Sequence, residues 1–116
     1  MTNSIIDVLN HMPNMLSLKG CSESEIKSAE AKLNLTFSKE YRDYTMTFGA
    51  VSINGKQITG AVPFADASVV VSTISARRIY TDIPKGWYVV HDAHIDGLIY
   101  WQDGEGLIYK IVPGSA

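Results

Sequence analysis

The sequence predicts an α+β domain: N-terminal helices packed on a mainly antiparallel sheet that ends in a C-terminal β-meander. Three observations predict it. The first half carries apolar residues at helical spacing behind residues that cap helices. Asn54-Gly55, the strongest short signal for a two-residue hairpin turn, lies between short β-prone segments. The last third alternates apolar runs with turns rich in Asp and Gly. Helices first and antiparallel strands last indicate a sheet covered on one side by helices.

The elements follow in order. SIIDVLN places Ile5, Ile6 and Leu9 at helical spacing, with Asn3 or Ser4 as a cap and Pro13 as a limit. In SESEIKSAEAKLN, Ser22 and Glu25 form a capping box, Ile26, Ala29 and Leu33 share a face, and Asn34 ends the run. Ser38 starts SKEYRDYTMTFG, where Tyr41, Tyr44, Thr45 and Phe48 form one stripe and Gly49 is the stop. The hairpin VSINGKQITG comes next. Residues 66–80 are ambiguous: Val69 to Val71 favour a strand, but Asp66 as cap with Val70, Ile74 and Arg77 on one face favours a helix, which is the expectation adopted. After Pro84 three strands follow, WYVVH, LIYWQ and LIYKIV, joined by DAHIDG and DGEG.

Bulk properties restrict function. At 116 residues the chain is one domain, 1–116, large enough to fold without a metal or disulfide. Ten Lys and Arg against twelve Asp and Glu give a net charge of −2, too balanced to predict direct nucleic-acid binding. The lone Cys21 suits a reducing compartment. The N-terminal stretch lacks a signal peptide's basic start, and no apolar run approaches the about 20 residues that span a bilayer. The expectation is a soluble cytoplasmic protein with no membrane and no cofactor.

The densest chemistry lies in HDAHIDG, where His91, Asp92, His94 and Asp96 are all good ligand types. A small metal-dependent hydrolase is the reading they invite. A metal needs three or four ligands converging at about 2.0–2.2 Å with partners behind them, and a single short turn rarely supplies that. The favoured reading is a solvated hairpin turn. Cys21 has no histidine partner in sequence, Gly104-Glu105-Gly106 lacks the helix that would present N–H groups to a phosphate, and Arg77-Arg78 reads as a solvated basic pair. No nucleophile, base and oxyanion site assembles, so no enzyme is expected.

A longer pattern is more informative. Glu23, Glu25, Ile26, Ala29, Glu30 and Leu33 fit x-E-x-E-I-x-x-A-E-x-x-L; Glu40, Tyr41 and Tyr44 fit an acidic-Tyr-x-x-Tyr start of the next helix; Gly49, Gly55 and Gly60 fall in the turns that follow. In these residues, and in the tail IPKGWYVVHDAHIDGLIYWQDGEGLIYKIVPG, the chain resembles the SUKH superfamily, the Smi/Knr-type domain, from about Ser22 to Pro113. It departs at Phe37-Ser38, where the family usually has Leu-Pro, and at Phe48-Gly49-Ala50, where it often has Asn-Gly-Gly. The resemblance implies a bacterial immunity protein: a small cytoplasmic, non-catalytic domain that binds and neutralises one cognate toxin domain of polymorphic or contact-dependent type, often a nuclease. A regulatory or scaffold module with another partner is the alternative within the same fold.

High affinity and fast association call for aromatic anchors and complementary charge. From Gly86 onward there are four acids against one base, with five Trp and Tyr on the same strands. The candidate partner-binding residues are therefore Trp87, Asp92, His94, Asp96, Trp101, Asp103 and Glu105. Strand alternation makes one of Trp87 and Tyr88, and one of Tyr100 and Trp101, a core residue. An exposed edge strand also leaves a homodimer open.

Overall fold

In a computed structural model, which describes residues 5–64, 67–94 and 97–112, the chain forms four helices and six strands. They are α1 (Ile5–Asn10), β1 (Met15–Ser17), α2 (Glu23–Leu33), α3 (Lys39–Phe48), β2 (Val51–Ile53), β3 (Lys56–Ile58), α4 (Val69–Ile79), β4 (Tyr88–Asp92), β5 (Ile99–Gln102) and β6 (Ile108–Ile111). This is the α+β class, with the C-terminal meander in place. The strands divide into two antiparallel ladders of three, β1-β2-β3 and β4-β5-β6. Among the described residues no helix is long and apolar enough to cross a membrane.

The helix boundaries follow local chemistry. Ser22 caps α2: its hydroxyl accepts from Glu25 N–H at 3.1 Å, and the Glu25 carboxylate accepts from Ser22 N–H at 2.9 Å. Asn34 closes the helix in the left-handed region at φ 54°. Ser38 caps α3 by accepting from Tyr41 N–H, and Gly49 ends it at φ 73°. Asn54 and Gly55 turn the β2–β3 hairpin with φ 51° and 82°, both positive as a type I′ turn requires.

Two expectations change. Residues 69–79 are a helix, but Ser68 caps it, with its hydroxyl accepting from Val71 N–H at 3.2 Å; Asp66 lies outside the described residues. The buried face is Val69, Thr73 and Ala76 rather than Val70, Ile74 and Arg77. Thr73 turns inward because its hydroxyl accepts the Val89 N–H of β4 at 3.0 Å, a polar need that an apolar pattern cannot reveal. Strand β1 has no sequence signal at all. It is three residues long and exists because β2 offers it an edge, with Met15 opposite Ile53 and Ser17 opposite Val51.

Two apolar clusters hold the molecule. The larger joins α2, α3 and β2 around Ile26, Leu33, Phe37, Tyr41, Tyr44 and Tyr88. The smaller lies where α4 covers one face of the meander, with Ala76 against Val89, Ile99 and Trp101. Arg77 links the helices, donating to the Leu33 carbonyl at the end of α2 and to the Lys85 carbonyl. Burial lowers its guanidinium pKa. It is a structural tie, whereas Arg78 is exposed as expected.

Candidate functional site

The two ladders meet along a seam, and the seam is built by side chains. Pairing of β4 with β5 shifts between Val89 and His91, a β-bulge at Val90. A bulge puts successive residues on one side of a strand and turns carbonyls out of the ladder. Thr59, just past β3, takes up both: its N–H donates to Val90 O at 2.9 Å and its hydroxyl to Val89 O at 2.8 Å. Since that hydroxyl has only one hydrogen, Tyr41 must be the donor in its own 2.9 Å bond to Thr59 Oγ1. His91 completes the seam with Nδ1 at 2.7 Å from the Gln57 carbonyl. A carbonyl only accepts, so Nδ1 carries the proton.

Above this seam opens a cleft of about 550 Å³. Its walls come from α1 (Leu9), α3 (Glu40, Tyr41, Tyr44), the hairpin (Ile53, Lys56, Ile58) and the meander (Val90, His91, Tyr100, Gln102, Ile108), joined by Met12 and Asn54. The deep polar atoms are already engaged. Tyr41 hydroxyl is bonded to Thr59, and Tyr44 hydroxyl donates to Ile58 O at 3.1 Å. Burial raises both phenols far above their ordinary range, so neither ionises near neutral pH. What remains is an apolar floor under a polar mouth.

A second network fixes the meander to α3. The Tyr88 hydroxyl accepts from Ser38 N–H at 3.1 Å and donates to Gln102 Oε1 at 2.9 Å; Gln102 Nε2 in turn donates to Gly106 O. Burial pushes the Tyr88 phenol up to about 12.

The sequence-derived candidates are scattered by this fold. The turn after β4 and the turn after β5 lie at opposite ends of β5, so Asp92 and His94 do not join Asp103 and Glu105. Asp92 accepts from His94 N–H at 2.8 Å, holding His94 at φ 56° with its side chain 84% exposed. Asp96 lies outside the described residues. Asp103 is occupied: Oδ1 accepts from the N–H groups of Glu105 and Leu107 at 2.9 and 3.0 Å, and Oδ2 accepts from the Tyr109 hydroxyl at 2.8 Å. Desolvation pushes its carboxyl up, but these bonds outweigh it and hold the pKa below the ordinary value. Glu105 is exposed at the tip of that turn.

Alternation along the strands is as expected, with a consequence for the aromatic candidates. Tyr88 and Trp101 are both fully buried, leaving Trp87 and Tyr100 half-buried. Trp101 therefore leaves the partner-facing set, because no surface reaches a side chain with 0% exposure. Its indole N–H finds no acceptor among the described residues. Trp87 stacks on Tyr109, with ring centres 3.8 Å apart and planes at 11°.

The described members of the metal constellation, His91, Asp92 and His94, do not converge either. His91 Nδ1 is committed to Gln57, Asp92 holds its own turn, and His94 points to solvent. Among the described residues no group of three or more His, Cys, Asp or Glu could hold a metal ion. Cys21 is buried, and the same burial raises its thiol pKa, the opposite of an activated nucleophile.

Sequence reasoning missed the cleft. Tyr100 had a signal, as the alternate of Trp101. Glu40 and Lys56 stand sixteen residues apart on different elements, and Val90 and His91 share the cleft only because of a bulge that no local pattern announces. In comparison with known proteins, a family model described as SMI1-KNR4 cell-wall, SUKH_5, matches residues 2–109. No curated protein matches the chain.

Proposed function

The chain belongs to the SMI1-KNR4 (SUKH) family, and from that premise we propose that it is an immunity protein. It binds a cognate bacterial toxin domain one to one in the cytoplasm and blocks it, without chemistry of its own. The family fits an immunity role in general, and the match over residues 2–109 is the observation that carries the reading. The geometry agrees with it. Among the described residues His91, Asp92 and Asp103 hold a seam or a turn rather than converging on a reacting atom, while an open apolar cleft offers contact area of the kind that binds proteins.

Within this reading the exposed Glu105 and His94, with the half-buried Asp92, act at the margins of an interface, speeding encounter with a basic toxin surface such as a nuclease cleft. The test is co-purification with the toxic domain encoded beside this chain's gene, followed by titration calorimetry. Nanomolar one-to-one binding that abolishes toxicity is the expected result. A neighbouring toxin that stays active and unbound in its presence rejects the immunity reading and leaves a regulatory or scaffold partner.

A further inference from the structure

We infer that the partner docks in the cleft over the seam, and that the cleft takes a convex apolar segment of the toxin domain flanked by one basic and one acidic residue. The inference rests on the immunity reading and adds where and by what chemistry the partner is held. Three observations carry it.

The first is the polarity of the cleft. Its deep hydroxyls and the His91 Nδ1–H are spent on bonds within the chain, so what they present to an occupant is apolar surface. At the mouth Ile108 is 54% exposed, and the half-buried Tyr100 makes no hydrogen bond among the described residues. An apolar side chain entering here displaces water without breaking the bonds of the deep hydroxyls, and the Tyr100 hydroxyl stays free to bond to the entering backbone.

The second is charge. Glu40 on α3 and Lys56 on the hairpin both line the cleft, both are exposed, and neither forms an ion pair among the described residues. By contrast the helix pairs Glu23–Lys27 and Lys39–Asp43 close at 3.3 and 2.8 Å. An anion and a cation that face one apolar space without meeting each other are complementary to a segment bearing both signs. They also set its direction, with its basic residue toward Glu40 and its acidic residue toward Lys56.

The third is shape. Charges of both signs also suit a two-fold dimer, where Glu40 of each copy faces Lys56 of the other. The surface is concave, however, and two concave faces enclose a void instead of packing. A convex segment from a different protein fills it.

The experiment is calorimetric titration of the full chain against the toxic domain encoded beside its gene, inactivated so that it can be produced. It uses Glu40→Lys, Lys56→Glu and Ile108→Asp in the cleft, with Lys32→Glu, exposed on α2 and outside the cleft lining, as a control. Thermal melts check that each variant folds, and the two charge variants, on exposed positions, keep the test open should Ile108→Asp unfold. The expected result is a loss of about thirtyfold for Ile108→Asp and about tenfold for each cleft charge reversal, with Lys32→Glu inside about threefold of wild type. Cleft variants that bind as well as wild type overturn the docking site while leaving the immunity reading standing. A wild-type chain that does not bind overturns both. A chain that is dimeric alone, and becomes monomeric on Ile108→Asp, overturns the toxin as occupant and gives the cleft to a second copy.

Discussion

Single hydroxyls and carboxylates decide much of this domain's local order. Tyr88 serves the cap residue of α3 and the Gln102 amide from one oxygen, deep in the core. Tyr88→Phe keeps the ring packing against Phe37 and Tyr41 but leaves both buried partners unsatisfied. The expected cost is about 2 kcal/mol in urea unfolding, with the slope unchanged. Asp103 makes a prediction in pH instead. Its folded pKa is depressed, so its contribution is complete above the ordinary carboxylate range and disappears as pH falls through the folded value. Asp103→Asn should therefore be less stable than wild type at pH 7, with the gap narrowing as the pH falls below the ordinary carboxylate range. Melting curves across that range check it, and a parallel offset at every pH would reject the carboxylate as the cause.

Among the elements, the contrast lies between what local chemistry determines and what only a neighbour determines. The α2 capping box, the Ser38 cap, the Asn54-Gly55 turn and the meander strands are all legible in the sequence, because each depends on residues within a few positions of one another. Strand β1, the buried face of α4 and the bulge at Val90 are not, because each answers a distant group: β2, the Val89 N–H and Thr59 respectively. The candidate site divides the same way. The acids of the turns, and their separation to opposite ends of the strand between them, could be read from the predicted meander, but the cleft that joins α3, the hairpin and the meander could not. Thr59→Val tests the seam itself. It removes the bond to Val89 O and orphans the buried Tyr41 hydroxyl, so the expected loss is about 2 kcal/mol. Amide exchange should quicken first along β3 and β4 and leave the β5–β6 pairing protected. Uniform quickening through all six strands would mean that the two ladders open as one unit.

For the molecule as a whole, the halves are set at a fixed distance where backbone meets backbone. A methyl group added at Gly60 would run into the Gly49 carbonyl oxygen at the end of α3. Thr45 secures the same crossing, donating to Gly49 O at 2.7 Å and accepting from Ala61 N–H at 2.9 Å. Gly60→Ala should cost about 3 kcal/mol, because the obstacle is backbone and cannot swing aside; a melting temperature within two or three degrees of wild type would show that the strand exit shifts freely. This crossing divides the chain's freedom to evolve. At Gly49 and Gly60 there is no room for any side chain, so descent must keep them or lose the fold. At Glu40, Lys56, Glu105 and Ile108 the side chains stand in solvent and can be exchanged at little structural cost. On the immunity reading, a lineage that meets changing toxins can then revise these positions one residue at a time while the frame beneath stays the same.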